Sequence, residues 1–266
     1  MTPAPDPFAR FITAIEPYLD QIVIIGGWAH QLYRQHPAAQ PLDYPPLTTL
    51  DTDVAMLPGV PFRERDIRSR LIAHGFEEEF AGDDRPPATH YRLGGGASGF
   101  YAEFLTPMVG AVRDRKGRRS TTTEISGVAS QRLRYLEILL RHPWTIDFAS
   151  AGVTSQIRIA NPVSFIAQKV LILARRDPED RAKDLLYMHD TLEVFGSRLG
   201  DLRALWRERV RPEVHANQVR VVAKASGVLF GQLTDDVRRA SRISGQRVSA
   251  EAIRQACQYG FREVFE

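Results

Sequence analysis

The pattern of apolar residues changes near residue 160, and this change limits the folds that the chain can adopt. Before it, short apolar or alternating runs predict β-strands at residues 21–25, 48–57, 89–93, 99–105 and 155–160. After it, nearly every segment has a helical pattern, and Asn161 followed by Pro162 suits the start of a helix. We therefore predict an α+β fold with two domains, residues 1–160 and a helical C-terminal domain of residues 161–266.

Helices and loops are also predicted within the first 160 residues. Apolar residues with a helical period predict helices at residues 8–18, 28–34 and 61–74. Residues 35–46 contain four prolines and must form a loop. The glycines at 94–96 predict a hairpin between the strands on either side. Residues 131–140 are amphipathic, and their pattern does not decide between a helix and a strand.

Composition narrows the class of protein. The 266 residues are 43% hydrophobic and 25% charged, which is typical of an ordinary globular core. A single cysteine, Cys257, excludes an intramolecular disulfide and a cysteine-rich zinc site. No apolar run approaches the roughly 20 residues that span a bilayer, and the first residues lack the features of a signal peptide. We expect a cytoplasmic protein with no membrane partner.

Positive charge is concentrated towards the C-terminus. Residues 197–266 carry 13 Lys and Arg against 8 Asp and Glu, a balance of +5, whereas the preceding residues have a balance of −2. Such a segment favours a polyanionic partner such as RNA. Arginine could instead serve only to keep the surface solvated, and the sequence leaves both interpretations open.

Two glycines at the end of a predicted strand indicate a phosphate-binding turn. Gly26 and Gly27 follow the apolar run that ends at Ile25 and precede a predicted helix. Glycine lets the backbone approach a phosphate closely, and N–H groups at the start of a helix favour an anion. The glycines could also form a tight turn that needs a positive φ, and the two interpretations are compatible.

Three carboxylates lie on predicted strands. Asp51 and Asp53 are two residues apart, so that on a strand both point to the same face, and Glu103 lies on a second strand. Each acid alone could belong to the solvated face of a strand. Together with the glycine turn they predict a site for two Mg²⁺ ions and a nucleoside triphosphate (NTP), because Mg²⁺ takes oxygen ligands and phosphates. Mn²⁺ could replace Mg²⁺ there.

These segments resemble a known superfamily. Gly-Gly-x-Ala at residue 26, Thr-x-Asp-x-Asp-Val at residue 49 and Glu-Phe-Leu-Thr-Pro at residue 103 are similar to the nucleotidyltransferases that share the polymerase β catalytic fold. Within that superfamily the chain is most similar to the bacterial AbiEii-like toxin nucleotidyltransferases. The resemblance implies a core with a mixed sheet and helices, followed by helices that contribute to the cleft. It covers about residues 1–190.

The resemblance also implies roles and an activity. The turn at Gly26 and Gly27 would hold the triphosphate, Asp51 and Asp53 would bind both metals, and Glu103 would be the third ligand and help to deprotonate the attacking hydroxyl. The expected reaction moves a nucleoside monophosphate from an NTP to a hydroxyl, with RNA, such as a tRNA 3′ end, as the acceptor. A toxin role with an antitoxin partner is also expected. A protein or antibiotic acceptor, or a non-catalytic nucleotide-binding module, is the alternative.

Two residues of the helical part complete the candidate site. Lys169 lies in a segment that resembles the lysine-bearing helix of the family, and Asp184 lies in its Arg-x-Lys-Asp segment. Both are expected to be nucleotide-binding, with Lys169 neutralising the triphosphate as a point charge. The alternatives are a surface lysine whose chain lies along apolar residues, and a surface pairing of Asp184 with Arg181.

The chain also departs from the family pattern. Gly27 stands where many relatives have serine, the interval to Asp51 is long, and Leu47 occupies a position where many relatives have arginine. The basic segment 113–119 could contact phosphates or remain a solvated loop. His90 alternates with Arg92 on a strand beside that of Glu103 and could face the cleft, although an ordinary surface histidine is the simpler expectation.

Overall fold

The computed structural model describes residues 6–82, 86–94, 99–108, 110, 121–150 and 152–266. They form two compact units, each made of two stretches of chain. The first unit consists of Met1–Ala29 and Thr48–Ala160, and the second of His30–Leu47 and Asn161–Glu266. The mixed α+β architecture that the sequence predicts is confirmed.

The first unit contains the strands. Its elements are α1 (Pro7–Ile15), β1 (Ile22–Ile25), the start of α2 (Gly26–Leu32), β2 (Asp51–Met56), α3 (Ile67–Ala73), β3 (Glu77–Ala81), β4 (Ala88–Leu93), β5 (Phe100–Pro107), β6 (Thr122–Ile125), β7 (Val128–Leu133), β8 (Trp144–Ser150) and β9 (Val153–Ile159). They form one mixed sheet in the order β3-β4-β5-β2-β1-β9-β8, with β7 also beside β5 and β6 beside β7. The predicted mixed sheet is therefore present.

The core of this unit fixes the strands at the centre of the sheet. All four residues of β1 are buried, and β2 alternates, with Thr52 and Val54 buried and the aspartates on either side of Thr52 part-exposed. Helix α1 begins at Pro7, and the ring of Phe8 in this helix stacks on the ring of Trp28, with the two ring centroids 3.8 Å apart. Apolar burial therefore holds one face of β2 and leaves the acidic face open.

Several predicted elements differ from those observed. The helix expected over residues 61–74 is limited to α3, because Asp66 caps it by accepting a hydrogen bond from the Ser69 backbone N–H at 2.6 Å. The strands β3, β6, β7 and β8 were not predicted. Residues 131–140 hold the end of β7 and a 3₁₀ turn, Leu136–Leu140. The hairpin expected at glycines 94–96 falls largely outside the described residues.

Every regular element of the described second unit is helical. Its α-helices are the end of α2, α4 (Pro162–Ile172), α5 (Pro178–Val194), α6 (Leu199–Ala204), α7 (Ala216–Ala223), α8 (Ala225–Phe230), α9 (Asp235–Ile243) and α10 (Ala250–Phe265). Asn161 caps α4 as predicted, accepting a hydrogen bond from the Ser164 N–H at 2.8 Å. Across the described ranges, each helix is too short or too polar to span a membrane.

The proline-rich stretch is attached to these helices. The Gln40 N–H donates to the Val194 carbonyl at 2.8 Å, and the Tyr44 hydroxyl donates to Asp190 at 3.2 Å. Arg247 donates to the Pro45 carbonyl at 3.0 Å and to Asp190 at 2.8 Å, and its guanidinium lies 4.0 Å from the centroid of the Tyr44 ring. Residues 30–47 are therefore a structural part of the helical unit.

Candidate active site

Strand pairing places Asp53 and Glu103 side by side. Strands β2 and β5 are parallel, with Asp53 opposite Glu103 and Asp51 opposite Tyr101. On the other side of β2, Ile25 of the antiparallel β1 lies opposite Asp53. Side chains in register point to the same face of a sheet, so the acids share one face.

Gly26 brings the chain directly against Asp53. Its φ is +62°, a conformation that residues with a side chain rarely adopt. A Cβ atom at this position would lie 1.9 Å from Oδ2 of Asp53. The sequence therefore has glycine here for two reasons, the backbone conformation and the lack of space. Gly27 follows as the second residue of α2.

The chemistry of these side chains fits a divalent cation. Asp51, Asp53 and Glu103 supply carboxylate oxygens, which are the ligands that Mg²⁺ prefers. In the described ranges, no three His, Cys, Asp or Glu side chains are already gathered around one point that could hold a metal ion. Neighbouring strands are about 4.8 Å apart, so rotation of the side chains could bring Asp53 and Glu103 to a shared ion.

Polar neighbours orient two of the acids. The Thr49 hydroxyl donates a hydrogen bond to Oδ1 of Asp51. Oε2 of Glu103 accepts a hydrogen bond from the Gln131 side-chain amide at 3.2 Å, and Nε2 of His90 lies 3.5 Å from the same oxygen. Thr49, Gln131 and His90 therefore restrict the positions that the carboxylates can take.

The polar face continues from Glu103 onto β4. The hydrogen bond with Glu103, together with attraction by Glu103 and Glu79, raises the pKa of His90. Burial, followed by the charges of Asp51 and Glu103, raises the pKa of Tyr101 to about 12, so its hydroxyl stays protonated at neutral pH. This part of the site combines acids with a neutral phenol.

Lys169 and Asp184 form a buried ion pair within the second unit. Nζ of Lys169 lies 2.6 Å from Oδ1 of Asp184, and the exposed fractions of the two residues are 7% and 3%. The rings of Phe165 and Tyr187 are 5.4 and 5.1 Å from the ammonium. Lys169 is thus not a surface lysine, and Arg181 pairs with Asp236 rather than with Asp184.

The predicted site residues therefore form two groups. Gly26, Asp51, Asp53 and Glu103 meet on one face of the sheet, whereas Lys169 and Asp184 meet each other among the helices. The basic segment 113–119 lies outside the described residues.

Sequence reasoning missed several neighbours of the acids. Gln131 lies in residues 131–140, whose secondary structure the sequence does not specify. For Tyr101 the sequence indicates only a place on a strand, and for His90 it does not show which residue is the hydrogen-bond partner. The alternation of His90 with Arg92, and of Tyr101 with Glu103, was the available signal, because alternate residues of a strand share a face.

Comparison with known families gave a match over most of the chain. A family model described as "Nucleotidyltransferase" matches residues 7–211, a range that includes all of the site residues named above. The comparison with curated proteins and the comparison with solved structures gave no significant match.

Proposed function

The chain belongs to the nucleotidyltransferase family whose model matches residues 7–211, and we propose that it transfers a nucleoside monophosphate from an NTP to an acceptor hydroxyl. The hydroxyl oxygen attacks the α-phosphorus, the bond to the β-phosphate oxygen breaks, and pyrophosphate leaves. The observation that carries this proposal is the position of Asp53, with Gly26 against it on one side and Glu103 in register on the other.

Each residue of the acidic face has a proposed role. Gly26 and Gly27 let the backbone approach the triphosphate. Asp51, Asp53 and Glu103 would hold two Mg²⁺ ions, which would stabilise the charge on the attacking and leaving oxygens. Glu103 would also accept the proton of the acceptor hydroxyl, and its bonds to Gln131 and His90 keep it in place for that step.

Lys169 is proposed as the cation that neutralises the triphosphate, with Asp184 holding its ammonium in position. This role rests on the resemblance to the lysine-bearing helix of the family, because in the structure the ammonium is buried and already paired with Asp184. The polymerase β-like form of the catalytic core is proposed on the resemblance of the glycine turn and the three acids to that superfamily.

RNA is the proposed acceptor. Arg209, Arg211 and Arg220 are exposed, and none of them forms an ion pair in the part of the chain that the structure describes. Exposed cations of this kind can neutralise phosphates and release counterions. The resemblance to AbiEii-like proteins supports a tRNA 3′ end as substrate and a growth-arresting toxin with an antitoxin as the setting.

The test is a transfer assay with each of the four α-labelled NTPs, Mg²⁺, total RNA and a cell lysate. Label that enters an RNase-sensitive product would support the proposal and identify the base. Label that enters a protease-sensitive product would show that the acceptor is a protein and not RNA. NTP binding without label in either product would point to a small-molecule acceptor or a nucleotide-binding module.

A paired variant controls for contaminating enzymes. Asp53→Asn should lower the transfer rate on the order of a thousandfold, whereas Asp147→Asn, at an exposed position of β8, should leave it unchanged. Transfer that persists undiminished in Asp53→Asn would exclude the proposed catalytic role of the acidic face.

A further inference from the structure

Three side chains form a continuous surface next to Glu103. Arg92 lies opposite Tyr101 in the pairing of β4 with β5, and His90 lies opposite Glu103 in the same pairing. We call Arg92, Tyr101 and His90 the stacking ledge. Their register places them on the face of the sheet that carries Asp51 and Asp53.

The ledge is built around the ring of Tyr101. The Arg92 guanidinium lies 5.1 Å from the centroid of that ring, and the His90 ring centroid lies 5.0 Å from it. Glu79 on β3 forms an ion pair with Arg92 and lies 3.8 Å from Nδ1 of His90. The arginine and the histidine are therefore held by a partner, and the ring is supported from the β4 side.

The order of the strands separates the ledge from the glycine turn. Strands β1, β2, β5 and β4 are consecutive neighbours, so Gly26 follows the strand on one side of Asp53 and the ledge lies on the other side, at Glu103 and beyond. In the proposed function the triphosphate lies at the glycine turn and Glu103 accepts the proton of the attacking hydroxyl. The group next to Glu103, away from the glycines, belongs to the acceptor.

The charges on this face limit the chemical groups of the acceptor that can bind beside Tyr101. The charges of Asp51, Glu103 and Asp53 act on Tyr101, and Arg92 is already paired with Glu79, so a free phosphate would be poorly held beside the ring. A neutral planar group avoids this repulsion and can lie against an aromatic ring. Nucleobases stack on such rings in single-stranded RNA recognition, and Arg contributes to the same contact.

We propose that the ledge binds the base of the acceptor's terminal nucleotide by stacking on Tyr101, so that the 3′ end of an RNA strand presents its hydroxyl to Glu103. This subsite rests on the proposed function and adds the acceptor-recognising residues to it. Tyr101 is then a specificity-determining residue, and Arg92 and Glu79 position its ring.

The experiment measures binding without the reaction. A short oligoribonucleotide with 2-aminopurine at its 3′ end is titrated with the protein in the absence of NTP, and quenching of the base reports stacking. Tyr101→Phe should bind as the unchanged protein does, because the ring remains. Tyr101→Leu should weaken binding by about tenfold and remove the quenching. A matched control is Phe80→Leu, since Phe80 is 64% exposed and alternates with Glu79, which places it on the opposite face of the sheet.

Equal binding and quenching in Tyr101→Leu and the unchanged protein would overturn the proposal, as would an equal loss in Phe80→Leu. If Tyr101→Leu does not fold, a crosslinking experiment with the unchanged protein still tests the proposal. Crosslinking of a 3′-terminal 4-thiouridine oligoribonucleotide should attach it to the peptide that contains Tyr101. Attachment only to peptides from residues 161–266 would overturn the ledge.

The result separates the subsite from the reaction. If Tyr101→Leu still transfers label to RNA with an unchanged KM for the acceptor, the proposed function is supported and the role of the stacking ledge in acceptor binding is excluded. If quenching depends on Tyr101 but the protein transfers no label, the stacking ledge binds an RNA base and the proposed function is excluded. Transfer to a protein acceptor that the oligoribonucleotide does not inhibit would overturn the assignment of RNA to this surface.

Discussion

A side-chain carbon added to Gly26 would lie 1.9 Å from the Oδ2 atom of Asp53, far inside the 3.0 Å below which Cβ atoms essentially never approach another heavy atom. Gly26, which follows β1, and Asp53, near the centre of β2, are therefore a matched pair. Any residue larger than glycine must displace either the turn or the carboxylate. Since both are proposed to act on the same triphosphate, this contact should be sensitive to mutation.

We expect Gly26→Ala to reduce transfer strongly and to lower the melting temperature. Gly59→Ala is the control, because Gly59 has a φ of +91° and nothing within 4 Å of the added Cβ. Both variants carry the conformational cost of about 1–2 kcal/mol, but only Gly26→Ala adds the clash. Equal effects of the two substitutions on activity and melting would show that the contact with Asp53 is unimportant.

The acidic face should be catalytic rather than structural. We expect Asp53→Asn and Glu103→Gln each to lower the transfer rate on the order of a thousandfold while the protein stays folded. The unchanged protein should gain thermal stability from added Mg²⁺, because an ion that binds only the folded state stabilises it, and both variants should lose this gain. Thermal melts with and without Mg²⁺ measure it, and a gain that survives in Asp53→Asn would argue against the metal site.

Removal of one member of the Lys169–Asp184 pair should be more harmful than removal of both. Lys169→Met leaves a buried carboxylate whose one remaining ion-pair partner among the described residues is Arg176, 3.4 Å away, and should cost about 3–5 kcal/mol of stability. Asp184→Leu added to Lys169→Met should recover most of that loss. If Lys169 also neutralises the triphosphate, the double variant should stay impaired in transfer, with a raised KM for the NTP. Recovery of both stability and activity would make the pair purely structural.

His30 should make the protein sensitive to mild acid. It is fully buried in the second unit, and burial lowers its pKa from 6.5 to about 3. Below pH 6.5 the unfolded chain binds a proton that the folded protein does not, so the free energy of unfolding falls as the pH drops towards 3. The loss is at most about 1.4 kcal/mol per pH unit, or about 2 kcal/mol at pH 5.

Urea unfolding at a series of pH values tests this assignment. His30→Phe keeps a ring beside Phe165 and Tyr187 and should flatten the curve between pH 6.5 and 4. His74→Gln is the comparison, because His74 is only partly buried although its pKa is also lowered. If the free energy of unfolding depends on pH with the same slope in His30→Phe and in the unchanged protein, the acid sensitivity comes from other residues.

The exposed arginines should determine how RNA binding depends on salt. Replacing Arg209, Arg211 and Arg220 by glutamine should reduce the slope of log affinity against log salt by about 2, since each lost phosphate contact removes about 0.7 on a single strand. The control is Arg254→Gln, because Arg254 is paired with Glu251. Binding of a fixed oligoribonucleotide across salt concentrations gives the slope. A slope that does not change would indicate that these arginines only solvate the surface.

The local parts of the site could be predicted from the sequence. The spacing of Asp51 and Asp53, and the glycines after an apolar run, depend on short-range geometry that a strand or a turn imposes. The alignment of Asp53 with Glu103 is different, because 50 residues separate them and only the parallel pairing of β2 with β5 sets their register. Nothing in the local pattern specifies which residues of two distant strands lie opposite each other.

Other elements were missed for local reasons. Strand β3 begins with three glutamates, whose preference for strands is low, and it forms because β4 pairs along its whole length. Gln131 could not be recognised as a partner of Glu103 because its own segment contains both a strand and a 3₁₀ turn. In both cases tertiary pairing overrides the local propensity.

The division of the chain has a consequence for its synthesis. Arg247, which binds Pro45 and Asp190, is made roughly 200 residues after Leu47, a delay of about 10–40 s at about 5–20 residues per second. The stretches of the sheet-containing unit are all present once Ala160 has been made. On the ribosome, the acidic face can therefore form first, whereas the proline-rich stretch waits for its contact with Arg247 until that residue has been made.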